Sequence, residues 1–164
     1  MPTRITSPWV GPALTATNDT AVVPVGTVVN LSDGGEAIYV KSSLSAVSTF
    51  AAVLVEQDFT TQMLTTTNAG TVGRQVAFAQ VSIATGYYGW VHLSGRPKVN
   101  LAANCDDFVP LYTTATIGVL DDATVSGAGG LLIGIQSTVT ISNATAVTCI
   151  VKRGGCWIVP LVGT

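Results

Sequence analysis

Short runs of β-branched and aromatic residues, each closed by glycine, asparagine or aspartate, limit the fold of this chain more than any other feature. Residues 25–31 (VGTVVNL) form one such run, residues 32–35 (SDGG) a turn, and residues 36–41 (EAIYVK) a second run. This order predicts a β-hairpin, because β-branched side chains suit a pleated sheet and Asp-Gly-Gly suits a tight turn. The pattern recurs at the roughly 8–12-residue spacing of sandwiches and barrels and predicts about ten short strands. The expected fold is therefore all-β, a single-domain antiparallel β-sandwich or β-barrel without a long helix.

Four local expectations accompany this fold. Residues 42–49 are ambiguous and allow a single helical turn. The strand over residues 109–113 is expected at a sheet edge, because Pro110 lies near its start. Residues 131–136 (LLIGIQ) are predicted to form a buried strand. Val76 and Phe78 are predicted to share one face of the strand that begins at residue 75.

The start of the chain has a different character. Residues 1–24 are predicted to form an extended N-terminal arm, and residues 25–164 the β-domain. Proline removes a backbone donor and opposes helix, and the arm contains Pro2, Pro8, Pro12 and Pro24. Trp9, between Pro8 and Val10, either folds back on its own domain or anchors on a partner, since tryptophan is enriched among the residues that dominate binding. Pro8, Trp9 and Val10 are the predicted partner-binding residues.

The chain is apolar for its size. Only 10% of its 164 residues are charged and the mean hydropathy is +0.51, yet no apolar run approaches the ~18 residues of a membrane span. The best run, residues 50–55 (FAAVLV), suits a buried strand. Two explanations stay open: a monomer coated with Thr, Ser and Gly, or apolar surface that is buried on assembly. The second is favoured, because obligate interfaces resemble a core cut in half.

Charge and cysteine content exclude several classes. The net charge is −2, and lysine and arginine are scattered without a basic stripe, so nucleic-acid binding through phosphates is not expected. The first residues (MPTRITSPWV) lack the apolar region of a secretory signal, which predicts synthesis and folding in a cytoplasm. The three cysteines, an odd number, are predicted to be free thiols. Cys149, in an apolar strand pattern, is predicted to be a core residue.

The stretch from residue 86 to residue 136 includes the only histidine of the chain. Within it, Tyr88, Trp90, His92 and Ser94 alternate with apolar or glycine residues, so these four are predicted to share one face of a strand. No G-x-S-x-G elbow accompanies the histidine. His92 is interpreted as a strand histidine that hydrogen-bonds its surroundings, and no catalytic residue is assigned.

The remaining candidate sites lack the residue spacing that known metal sites have. Asp106-Asp107 and Asp121-Asp122 are interpreted as turn-forming acids, because the D-x-D-x-D-G spacing of a calcium loop is missing. Zinc has four potential ligands by count, but there is no C-x-x-C pair. These potential ligands are Cys105, Cys149, Cys156 and His92. No metal and no cofactor are predicted.

Two segments carry a resemblance to a known family. The first is residues 75–95, with QVAFAQ followed by GYYGWVHLSG, and the second is residues 109–135, with VPLYTTA, GVLDDA and IGI. Together they resemble the capsid decoration (cement) proteins of tailed bacteriophages. The resemblance implies a virion structural protein on the outer surface of the phage head that binds and stabilises the shell of major capsid protein, as a homotrimer and without enzymatic activity.

Rival functions stay open beside this one. A phage tail or baseplate subunit would use the same kind of β-fold. A carbohydrate-binding or adhesion module would stack sugars on Tyr87, Tyr88, Trp90 and Tyr112. An enzyme is the least favoured reading, since His92 is the only candidate for a histidine base.

Overall fold

The structure is a computed structural model that describes residues 3–6, 11–70, 74–124 and 129–161. The predicted all-β class is confirmed, with more strands than expected and one 3₁₀ turn at Asn68–Gly70. No helix among these residues is long and apolar enough to cross a membrane. The strands are β1 (Val28–Asn30), β2 (Glu36–Ser42), β3 (Ala52–Val55), β4 (Thr60–Met63), β5 (Gln75–Ala79), β6 (Tyr88–His92), β7 (Lys98–Leu101), β8 (Leu111–Thr113), β9 (Leu120–Asp121), β10 (Gly130–Ile133), β11 (Ile135–Ser137), β12 (Thr145–Val151) and β13 (Cys156–Pro160).

Five strands close into a barrel in the order β2-β4-β3-β5-β6 and back to β2. The predicted hairpin of β1 and β2 is confirmed, with Val29 opposite Ala37. The expectation of a purely antiparallel sheet is wrong for two pairings. Strand β2 runs parallel to β4, which closes the barrel, and β7 runs parallel to β9.

The barrel interior is filled by alternate residues of its strands. In β3, Val53 and Val55 point into the barrel, whereas Ala52 and Leu54 point outward. Strand β5 contributes only Ala77 and Ala79 to the interior, which suits the narrow lumen of a five-stranded barrel. The whole interior set is Ile38, Val40, Val47, Val53, Val55, Ala77, Ala79, Ile83, Val91 and Leu93, with Met63 packed against it.

A second layer covers the outer face of β3 and β5. The strands from β7 to β13 provide it, and β13 connects the layers by pairing with β5. Its inward side chains, such as Leu111 and Ile158, join Leu54 and Phe78 in the largest core cluster. This cluster also contains all three cysteines, which are free and buried, so the predictions of free thiols and of a core Cys149 are confirmed.

The N-terminal residues cover the other side of the barrel, the outer face of β2 and β6. Trp90 on this face is 1% exposed. Its Nε1 donates to the carbonyl oxygen of Pro12 at 3.2 Å, and Leu14 packs against the same aromatic cluster. Asn18 exchanges two backbone hydrogen bonds with Tyr88. The described residues of the predicted arm therefore lie on the domain. Pro8, Trp9 and Val10 lie outside the described residues, and their partner-binding role stays a prediction.

Two local expectations are wrong. The single helical turn that was considered for residues 42–49 does not form, because Val47 pairs as a bridge with Ile83 and fills the barrel interior. Strand β8, expected at a sheet edge because of Pro110, lies between β10 and β9, and Pro110 precedes its first residue. The strand order instead ends at β1 and β11.

Candidate interaction surface

The outer side of the second layer presents a group of four neighbouring apolar side chains, which we call the β10–β13 face. It consists of Leu131 and Ile133 of β10 and Val159 and Trp157 of β13. These residues form the cross-strand pairs Leu131–Val159 and Ile133–Trp157. The exposed fractions of Ile133, Trp157 and Val159 are 52%, 42% and 41%. Large apolar side chains that cluster on a surface in this way mark interaction sites.

Alternation along two strands creates this face. The inward neighbours Leu132 and Ile158 are buried in the core, so every second side chain of β10 and β13 must point outward. The sequence-based expectation of a fully buried strand over residues 131–136 is therefore wrong. The described residues cover only one side of β10, and Tyr112 of β8, opposite Leu131, extends the exposed side.

Trp157 is held by a hydrogen bond at one end of this face. Its Nε1 donates to the carbonyl oxygen of Gly154 at 3.0 Å. Gly154 and Gly155 both have positive φ, which lets the chain turn tightly before β13 begins. An exposed indole that is already ordered loses little conformational entropy on binding, so it is well suited to anchor a partner.

A crevice of about 200 Å³ adjoins the face where β10 ends and β11 begins. Gly134, between the two strands, has a φ of +96°, and a Cβ there would lie 2.6 Å from the carbonyl oxygen of Gly155. Glycine is therefore required at this position. Ile133 contributes to both the face and the crevice. The lining residues are Pro110, Leu131, Leu132, Ile133, Gly134, Ile135, Gln136 and Lys152.

Phe108 lies beside the Gln136 end of the crevice in a strained conformation. Its φ is +54°, unusual for a bulky side chain, and it is 60% exposed. Its amide donates to the Ser137 carbonyl at 3.1 Å, and its carbonyl accepts from Gln136 Nε2 at 3.5 Å. Strained residues of this kind cluster at functional sites. Phe108 thus adds a second exposed aromatic group next to the face.

The only histidine lies away from this surface. His92 is 4% exposed, and its Nδ1 has no hydrogen-bond partner among the described residues; the same holds for Ser94 Oγ. The interpretation of a hydrogen-bonded histidine is therefore wrong for Nδ1. Burial lowers the pKa of His92 to about 4, against an opposing effect of Asp33, so the imidazole is neutral near pH 7.

The predicted turn acids form a small cluster with one thiol. The donor atoms of Cys105, Asp121 and Asp122 lie within 4.8 Å of one another. Asp122 Oδ2 accepts from the Asp106 amide at 2.8 Å, and the Asp122 amide donates to Asp121 Oδ1 at 2.9 Å. The second bond is the local backbone contact expected of a turn-forming acid, whereas the first joins two separate loops. Burial, with a further contribution from Asp122, raises the pKa of Cys105 to about 11, so without a bound cation its sulfur is a protonated thiol near pH 7.

The aromatic residues proposed to stack on sugars are not all accessible. Trp90 is buried beneath the N-terminal residues, whereas Tyr87 is exposed and Tyr112 is half-buried beside the β10–β13 face. The sequence reasoning missed Ile133 and Trp157 as surface residues. Alternation in residues 157–159 (WIV) was the available signal, because it places Trp157 and Val159 on one side and Ile158 on the other.

Comparisons with known proteins leave the family open. No protein-family model and no curated protein matches the chain.

Proposed function

We propose that this protein is a virion structural protein, a decoration protein that sits on the outer surface of a tailed-phage head and stabilises the shell of major capsid protein. The observation that supports this proposal is the β10–β13 face, with its fixed Trp157 and the adjacent Phe108. The resemblance to decoration proteins supplies the identity of the partner. The two segments that carry the resemblance, residues 75–95 and 109–135, contain β5, β6 and the strands from β8 to β10. The resemblance therefore includes part of the second layer, which carries the face.

The physical properties of the face suit attachment to a large assembly. Burial of exposed apolar groups stabilises a complex by about 25 cal/mol per Å², before the cost of association. A face of four apolar side chains supports only a modest affinity by itself. Several copies held together, as in the proposed homotrimer, would raise the overall affinity by about 10²–10⁴ without any new contact. A weak single contact can then become durable on a capsid.

The proposal is tested by co-sedimentation of the purified protein with phage heads that lack it. We expect saturable binding at a fixed ratio to capsid subunits. The variant Trp157→Ser should bind about 30-fold more weakly, because loss of an anchoring aromatic side chain costs about 2 kcal/mol. Leu44→Ser is the matched control, since Leu44 is also strongly exposed but lies in the connection after β2, in the barrel half of the protein.

Other outcomes assign other functions. Absence of head binding, together with ring-shaped oligomers on negatively stained grids, would move the protein to the phage tail or baseplate. Absence of head binding by a monomer, with a positive glycan array, would indicate a carbohydrate-binding module. Equal binding by wild-type, Trp157→Ser and Leu44→Ser proteins would keep the decoration role but remove the β10–β13 face from it.

A further inference from the structure

We propose that the crevice at Gly134 receives one apolar side chain of the partner protein, and that a carboxylate next to that side chain pairs with Lys152 and Arg153. This inference rests on the proposed function and specifies the chemistry of the capsid segment that is bound. It follows from the size of the crevice, its apolar walls and the charge at its rim.

The size of the crevice distinguishes between kinds of ligand. Pockets for cofactors and drug-sized molecules occupy roughly 300–1,000 Å³. A crevice of about 200 Å³ is smaller than this range and suits a single large side chain. Its lining is mostly apolar, with Pro110, Ile133 and Ile135 among the contributing residues and Gln136 and Lys152 as the polar ones. Because Ile133 also belongs to the β10–β13 face, a protein that lies on this face would place a side chain directly over the opening.

The rim of the crevice carries positive charge that is not neutralised within the described parts of the chain. Lys152 lines the crevice, Arg153 follows it, and both are exposed. The one ion pair among the described residues joins Arg74 and Glu56 and involves neither of these cations. Asp107, beside Phe108, accepts a hydrogen bond from Thr140 Oγ1 at 3.1 Å and forms no ion pair with any described residue.

An exposed cation at the crevice, Lys152, with a second exposed cation, Arg153, next to it in the chain, fits an acidic partner segment better than a neutral one. The chain as a whole carries a net charge of −2, so this positive rim is a local feature rather than a consequence of composition. Charges at the rim of an interface mainly set its orientation and association rate, and they make binding depend on salt. The apolar side chain would contribute affinity, and the carboxylate would fix the register.

The experiment uses the same phage heads and the full-length protein. The variants are Lys152→Glu combined with Arg153→Glu, and Lys152→Gln, which removes one charge and keeps a polar side chain of similar length. Lys41→Glu, in the barrel, is the matched charge reversal outside the surface. Thermal unfolding of each variant confirms that it is folded before binding is measured at about 50 mM and about 500 mM NaCl.

We expect the double charge reversal to weaken head binding at least about tenfold at the lower salt concentration, with a smaller difference at the higher one. The Lys152→Gln variant should fall between this variant and the wild type, and Lys41→Glu should bind like the wild type. If the wild type binds heads and both Lys152 variants bind equally well, the inference is overturned and the proposed function stays intact. Failure of the wild type to bind heads at either salt concentration would overturn both.

Discussion

We expect the protein to lose stability as the pH falls from about 6.5 to about 4, because one buried imidazole resists protonation. His92 lies on β6, opposite Ala37 of β2 and Phe78 of β5, with its Nδ1 unpartnered among the described residues. Burial lowers its pKa from 6.5 to about 4, and the nearby Asp33 offsets only part of this effect. The folded protein therefore prefers the neutral ring over the whole of this pH range.

The sign and size of the effect follow from proton linkage. Between these two pKa values the unfolded chain binds a proton at His92 and the folded chain does not, so acid favours the unfolded state. The contribution of the neutral ring to stability is complete above pH 6.5 and is lost as the pH falls to about 4. One pKa unit corresponds to about 1.4 kcal/mol, so the full loss is about 3 kcal/mol. This is a large part of the 5–15 kcal/mol that stabilises a typical domain.

Urea unfolding at intervals from about pH 7.5 to about pH 4.5 measures this loss. The variant His92→Gln is the control, because it keeps a polar group on the same strand and removes the titration. Carboxylates titrate equally in both proteins, so their contribution cancels in the difference between the two free energies of unfolding. We expect the wild type to lose about 2–3 kcal/mol relative to the variant across this range. Parallel pH curves for the two proteins would refute the account of a buried neutral His92.

Two further predictions concern the glycine at the crevice and the N-terminal residues. Gly134→Ala should lower the free energy of unfolding by more than the ~1–2 kcal/mol that positive φ alone costs, because its Cβ would also meet the Gly155 carbonyl oxygen. Gly154→Ala, with a similar φ and no atom within 4 Å of its Cβ, should show only the backbone cost, and equal losses in urea unfolding would contradict the steric argument. Deletion of residues 1–24 should destabilise the fold by several kcal/mol as well as expose Trp90, since these residues cover the outer face of β2 and β6. An unchanged unfolding midpoint and unchanged tryptophan fluorescence after the deletion would show that this cover contributes nothing.

The β class and the two-sided character of the strands could be predicted from local sequence. The alternation in Tyr88–His92 correctly separated Trp90 from Val91, which lie on opposite sides of the barrel wall. The pair Val76 and Phe78 likewise shares one face, as expected from the period of two in a strand. These features depend on neighbouring residues alone, so they are visible without knowledge of the rest of the chain.

What covers each face was decided only by tertiary structure. The sequence pattern of β6 is the same whether Trp90 meets solvent, a sugar or another part of the chain; the N-terminal residues cover it. In β10, by contrast, no element among the described residues covers Ile133, which remains exposed, although the run of apolar residues around it predicted burial. The parallel pairing of β2 with β4 was equally hidden, because it joins segments that are not consecutive strands. Local alternation specifies two faces, but long-range packing alone determines which face becomes core and which is left available for a partner.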